Sequence, residues 1–396
     1  MERVLVIVAP GQGAQTPGFL SPWLEHPSFA DRLHWLSAVA GLDLEHYGTE
    51  ADAETIRDTA VAQPLIVAAG MLAAISLYPH PTDAFGRVGA VAGHSVGEIA
   101  AAAGAGVITA EQAMVFVRER GRAMSAASAI TPTGMTAILG GDRDDVLATL
   151  DRHCLTPAND NGPGQIVAAG TREQLQALVD DPPARARLIS LSVAGAFHTE
   201  HMGPAVDLLG RLARAVSTHD TRTRLISNRD GQIVHSGRDV LKRLVSQVST
   251  PVRWDLCMQT MTDLGVTGIL EVPPAGTLVG IAKRQLKGVD TFALKTPDQL
   301  DEARAFVDKH GDASPIDSTP TWRMLVSPSK GTFTQSADIP IDTLLVPGVV
   351  IGEVSNLRGS TAVLAPHGGT IVEWIVEDGD LVSPGQPIVR LHPESE

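Results

Sequence analysis

The pentapeptide Gly93-His94-Ser95-Val96-Gly97 has the G-x-S-x-G pattern, in which a serine sits on a sharp turn between a strand and a helix. Its context fits: the apolar run VGAVAG (residues 88–93) precedes it and the helix-compatible EIAAAAG follows. The glycines let the backbone turn tightly and let an acyl group approach Ser95 closely. The helix N-terminus would offer the N–H of Val96 and a favourable dipole to a developing oxyanion. The alternative is an ordinary serine in a Gly-rich turn. A serine nucleophile also needs a base. His198, at the end of VAGAFH (193–198), is a reasonable place for one, although a lone histidine can equally be structural. The 13 histidines show no H-E-x-x-H or comparable spacing, so metal catalysis has no support and no metal ligand is assigned.

A second group with chemical potential is Arg120. Thr109 and Gln112 form a capping box that starts a helix over residues 110–126. On its wheel Ala113, Met114, Val117, Gly121 and Met124 gather on one side, and Arg120 falls in the middle of that apolar face. A buried guanidinium needs an anion, because an unpaired buried charge is very costly. Two partners satisfy it: an acidic side chain in a structural ion pair, or a substrate carboxylate gripped by the planar fork. Gly11-Gln12-Gly13-Ala14-Gln15 follows the first apolar run. It lacks the Lys-Ser/Thr of a P-loop and the third glycine of a dinucleotide fingerprint. It reads as a tight turn or as the source of a second oxyanion N–H.

The elements that must position these residues alternate. RVLVIV (3–8) reads as a parallel strand buried on both faces, a helical pattern follows around Pro64 to Leu77, and VGAVAG is another buried strand. This is an α/β pattern. From Met135 the order becomes β-α-β-β-α-β, which predicts an inserted ferredoxin-like subdomain over residues 128–195. The large subdomain then comprises residues 1–127 and 196–310. GDASPIDSTP, through residue 320, reads as a linker. Residues 321–396 contain an internal repeat: SPSKGTF (327–333) matches APHGGTI (365–371), and VPGVVI (346–351) matches SPGQPI (383–388). Two copies of a short all-β unit predict a small barrel or sandwich with pseudo-twofold symmetry.

Bulk composition narrows the class. The chain has 396 residues, of which 43% are hydrophobic and 19% charged, enough to bury a sizeable core. A net charge of −14 argues against nucleic acid or an anionic membrane as the main partner. Residues 311–396 carry −7 of it, from eleven acidic and four basic side chains. Two isolated cysteines, Cys154 and Cys257, fit a reducing cytoplasm. MERVLVIVAP reads as a buried strand, since a signal peptide needs a longer apolar stretch. No window is expected to approach the length of a membrane-spanning helix.

GQGAQ, AQPL, GHSVGE, RERGRAM, NDNGPGQIVAAG, GAFH and TPVRW occur in this order over residues 1–305. Together they resemble the malonyl-CoA:acyl carrier protein transacylases of fatty-acid synthesis. The resemblance implies a hydrolase-like α/β domain with a parallel sheet and a ferredoxin-like insertion, and an S-malonyltransferase acting on malonyl-CoA and acyl carrier protein, for a fatty-acid or polyketide pathway, with no bound cofactor. It implies that Ser95 carries the malonyl group and that His198 is its base. The main-chain carbonyl of Gln247 would orient the imidazole, and the N–H groups of Gln12 and Val96 would form the oxyanion hole. Arg120 would pair with the malonyl carboxylate, and Gln63 and Phe197 would line the pocket. In related acyltransferases Val after the serine and Phe before the histidine accompany malonyl, and here they are Val96 and Phe197. Thr250 departs from the Asn that many relatives have before the proline, with little expected consequence.

The acidic tail resembles a biotinyl/lipoyl-attachment domain. The acceptor lysine of such domains belongs at a hairpin tip, here Asn356-Leu357-Arg358-Gly359-Ser360. Arg358 stands in its place and cannot form the amide, so neither biotin nor lipoate is expected. For carrier-protein docking, AKRQLKG (282–288), with Lys283, Arg284 and Lys287, is the candidate patch, or else a solvated helix face. Two other function classes compete: a hydrolase-like or patatin-like esterase, which would need an acidic partner and gives Arg120 no role, and a non-enzymatic interaction protein built around the tail.

Overall fold

A computed structural model describes residues 3–78, 87–311, 323–336, 339–357 and 359–392. Residues 312–320 of the expected linker and Arg358 lie outside the described residues. The chain divides into two units, Met1–Ile316 and Asp317–Glu396.

The first unit is built on a six-stranded sheet. Its order is Asp290–Ala293, Gly268–Glu271, Leu5–Ala9, Ala90–Gly93, Arg224–Ile226 and Ile233–Val234. The first five strands are parallel, and only the last pair is antiparallel. Leu5–Ala9 and Ala90–Gly93 are central, which explains their unbroken apolar character: Leu5, Val6, Ala90 and Ala92 have no exposed surface. The turns after these two adjacent strands carry Gly11–Gln15 and the Ser95 elbow, so both motifs emerge at the carboxyl edge of the sheet.

Thr59–Leu77 corrects an expectation. It is long and apolar enough, by length and composition, to cross a membrane. Its burial within the fold, 78% of that window, marks it as a core helix, packed against Ala110–Ser128 and Gly97–Gly104. The sequence pattern places a helix only around Pro64 to Leu77; here Asp58 caps a helix that starts at Thr59, and Pro64 lies inside it.

The inserted subdomain has an antiparallel sheet in the order Ala186–Ser190, Thr133–Gly140, Gln165–Thr171, Thr156–Asp160. Its helices Arg143–Arg152 and Arg172–Asp180 share a small core with it, including Ile138, Leu150, Ile166 and Leu178. This is the ferredoxin-like order. A fifth strand, Val252–Arg253, joins in parallel from the large subdomain. Two residues long and preceded by Pro251, it carries no periodicity a sequence reading could detect.

The second unit is all-β, with two four-stranded antiparallel sheets around Leu325, Phe333, Ile351, Val354, Ile371 and Leu391. The repeat is visible in the pairing. Leu345 lies opposite Gly369 in one sheet, and Val382 lies opposite Gly331 in the other. Each repeat therefore supplies a short strand to the other repeat's sheet, a pseudo-twofold exchange.

Candidate active site

Ser95 lies between the strand Ala90–Gly93 and the helix Gly97–Gly104. Its φ of 52° is in the left-handed region, which a side chain occupies at a cost and which recurs where a fold holds a functional group on a tight turn. Close packing fixes the elbow. A Cβ at Gly93 would collide with the main chain of Gly97 and Glu98, and one at Gly97 with that of Ala9 and Pro10. The His94 N–H donates to Ala9 at 3.0 Å, tying the elbow to the neighbouring strand.

His198 comes from a distant segment and also has a positive φ, 62°. Its Nε2 lies 2.8 Å from Ser95 Oγ, and its Nδ1 lies 2.7 Å from the main-chain oxygen of Gln247. A carbonyl oxygen only accepts, so Nδ1 carries the ring proton and Nε2 keeps a lone pair facing the serine hydroxyl. Burial first, and then the positive charge of Arg120, hold the His198 pKa down at about 3. The imidazole is therefore neutral across the neutral range, with its Nε2 lone pair free to face the serine hydroxyl.

Arg120 is fully buried in the middle of Ala110–Ser128, whose capping box is formed by Thr109 and Gln112. Its Nη1 donates to Gln63 Oε1 at 2.7 Å, and its Nη2 donates to Gln247 Oε1 at 2.9 Å and to Ser95 Oγ at 3.3 Å. Its Nε has no hydrogen-bond partner. Among the described residues no carboxylate lies within ion-pair distance of it, so the structural ion pair left open by the sequence is not formed. Burial draws its pKa down to about 9, against the opposing effect of Glu98. A guanidinium with neutral partners, facing the serine, is arranged to receive an anion.

The remaining candidates fall around this centre. Val96 is buried at the start of Gly97–Gly104, among the positions whose N–H groups lack intrahelical partners. Gln12 is anchored by its side-chain amide to the carbonyl of Arg57 at 3.0 Å. Its loop packs on the elbow, since a Cβ at Gly11 would sit 3.0 Å from His94. Gln63 and Phe197 are buried. Lys283, Arg284 and Lys287 are exposed at the end of Thr277–Gln285, where Arg284 donates to Gln165 at 2.7 Å. The next residue on that helix, Gln285, donates to the Asn161 carbonyl at 2.6 Å, and Asn161 Oδ1 lies 2.9 Å from His94 Nε2.

Sequence reasoning missed Glu98, Asn228 and the second role of Gln247. Glu98 follows Ser95 by three residues and is buried, with a pKa pushed up to about 7 by desolvation. Its Oε2 accepts from Gln247 Nε2 at 2.5 Å, and its Oε1 accepts from the Asn228 N–H at 3.2 Å. The glutamate of GHSVGE was in view, but its partners lie 130 and 149 residues away. A separate apolar cavity of about 240 Å³, bordered by Met71, Ile75 and Tyr78, includes none of Ser95, His198 and Arg120.

A half-buried serine against a buried histidine, an oriented imidazole and an anion-seeking arginine on a parallel α/β sheet define a serine acyl-transfer site, and the chain belongs to the acyl transferase domain family, which it matches over residues 6–306. It is 53% identical over 299 residues to the malonyl CoA-acyl carrier protein transacylase of Mycobacterium tuberculosis, covering 76% of this chain and 99% of that one. The crystal structure of the Mycobacterium tuberculosis transacylase superposes with a TM-score of 0.74 at 52% identity, over 76% of this chain and 99% of that chain. A type II PKS acyl-carrier protein in complex with its malonyl-transacylase also matches. Its TM-score is 0.69 at 28% identity, over 76% of this chain and 99% of that chain.

Proposed function

We propose that this protein is an S-malonyltransferase that moves malonyl from coenzyme A to the phosphopantetheine thiol of acyl carrier protein. The observation that carries the reading is Arg120, buried, without an anionic partner among the described residues and 3.3 Å from Ser95 Oγ. It gives the acyl pocket a preference for a substrate that brings its own carboxylate.

In this reading Ser95 attacks the thioester carbonyl while His198 Nε2 accepts its proton. The N–H groups of Gln12 and Val96 receive the oxyanion, a donor set whose loss costs on the order of 3 kcal/mol per member. The resulting imidazolium is held by the Gln247 carbonyl, and its proton leaves with the coenzyme A thiol. The carrier thiol then attacks the malonyl-serine ester with His198 again as base. Thioester, ester and thioester are close in energy, so the site must mainly exclude water as acceptor. Gln63 and Phe197 line the malonyl pocket, and the exposed basic end of Thr277–Gln285 docks the acidic carrier. Malonyl-CoA is substrate, and the chemistry calls for no resident cofactor.

The second unit is read as a biotinyl/lipoyl-like domain without its acceptor lysine, on the strength of its two exchanged sheets and the hairpin joining Val350–Asn356 to Gly359–Leu364. The domain limits of this reading are 1–127 with 196–310, 128–195 and 321–396. Two unpaired cysteines, Cys154 and Cys257, accord with a cytoplasmic setting. Incubation with malonyl-CoA should leave a malonyl ester on Ser95 that passes to holo carrier protein. An esterase would instead release free malonate and transfer nothing to the thiol.

A further inference from the structure

We propose that Glu98 is a positioning residue for acyl selection: through the side-chain amide of Gln247 it fixes the Arg120 fork that receives the malonyl carboxylate. This deepens the reading of Ser95 and Arg120 given above and rests on it.

An amide has one accepting and one donating end of nearly equal shape, so its neighbours decide which way it faces. The Gln247 oxygen accepts from Arg120 Nη2 at 2.9 Å. Its nitrogen donates to Glu98 Oε2 at 2.5 Å and to Asn228 Oδ1 at 3.3 Å. Turned over, the amide would set an NH₂ against a guanidinium N–H and an oxygen against a carboxylate. Glu98 excludes that state, because its two oxygens can only accept while it is ionised. Glu98 is itself held by the Asn228 N–H, and Asn228 Nδ2 donates to the Gly93 carbonyl at 2.5 Å. The chain of contacts thus starts at the elbow glycine and passes through Asn228, Glu98, Gln247 and Arg120 to return to Ser95. Glu98, Asn228, Gln247 and Arg120 are all buried, so water does not compete for these bonds.

The interposed amide has a consequence for charge. A carboxylate directly on Arg120 would occupy the fork and leave nothing for substrate. Held one amide away, Glu98 offsets the buried positive charge and leaves the fork open. The charged and titratable groups that bear on Glu98 come from three helices: Arg120 of Ala110–Ser128, Arg243 of Gly237–Ser246 and Cys257 of Trp254–Asp263. Gln247 therefore does two jobs, its main-chain oxygen holding the base and its side chain holding the selector.

The test compares steady-state acylation by malonyl-CoA and by acetyl-CoA in the full chain, in Glu98→Gln and in Gln247→Met. Glu98→Gln keeps the size but accepts either orientation of the Gln247 amide. Gln247→Met keeps the main-chain carbonyl and removes the relay. In each, kcat/KM for malonyl-CoA should fall about 10- to 100-fold, mostly through KM, with a far smaller change for acetyl-CoA. The double variant should be no worse than the more severe single, because both break one path. Equal losses on the two thioesters, or additive losses in the double variant, would overturn the proposal. Should Glu98→Gln fail to fold, Gln247→Met decides alone, an unchanged malonyl-to-acetyl ratio counting against it. Failure of the broader reading would show elsewhere, as malonyl labelling of Ser95→Ala.

Discussion

Burial of the His198 ring sets a pH dependence that can be followed in sign. An imidazole in the unfolded chain takes up a proton near 6.5, whereas in the fold it does so only near 3. Between these values the unfolded state binds more protons, so His198 lowers stability as pH falls from about 6.5 toward 3. Glu98 acts in the opposite sense: its folded pKa of about 7 lies above the ordinary 4.5, so it adds stability as pH falls through that range. Relative to His198→Ala, the wild type should lose up to about 1.4 kcal/mol for each pH unit below about 6.5 in denaturant unfolding. Parallel curves for the two would contradict a buried neutral imidazole. Arg120→Ala removes the only cation touching Ser95 among the described residues and should cost malonyl-CoA acylation about 2–3 kcal/mol, near 100-fold. Acetyl-CoA should then compete better, and unchanged selectivity in a mixed-thioester assay would remove the carboxylate clamp. Ser95, His198 and Arg120 could be proposed from the sequence because each stands in a pattern with its own chemistry, whereas Gln63 entered only through the family resemblance. Glu98 and Asn228 could not be, because what singles them out is contacts closed across more than a hundred residues.

At the scale of elements, the elbow depends on the approach of a helix to two strand ends. Gly97 has no room for a Cβ beside the carbonyls of Ala9 and Pro10. Gly97→Ala should therefore shift the helix start, lower stability by about 1–3 kcal/mol and remove most Ser95 acylation. A variant with wild-type Tm and activity would show that the close packing is not needed. Buried parallel strands were readable as continuous apolar runs, and the Ala110–Ser128 helix from its capping box and apolar stripe. The strand Val252–Arg253 was not, since so short a pairing is fixed by tertiary contact rather than by local pattern. The core helix Thr59–Leu77 was underread for a related reason. Its start is set by the Asp58 cap, ahead of a proline that lies inside the helix, and a proline in sequence ordinarily marks a helix boundary.

For the whole molecule, acyl transfer and the β unit are separable in sequence and in contacts, since the family match ends at residue 306 and the contact division falls at Ile316. Residues 1–311 alone should acylate and transfer at close to the full-length rate. A loss of transfer with acylation intact would instead assign the β unit to carrier docking. The β architecture was legible through its internal repeat, which the exchanged pairing of Leu345 with Gly369 and Val382 with Gly331 makes explicit.

Acyl transfer through Ser95 requires a malonyl ester on that residue, and intact mass after incubation with malonyl-CoA measures it directly. The wild type should gain one malonyl group, Ser95→Ala should gain none, and no biotin or lipoate mass should be present on the β unit. Malonyl labelling that persists in Ser95→Ala would contradict the account.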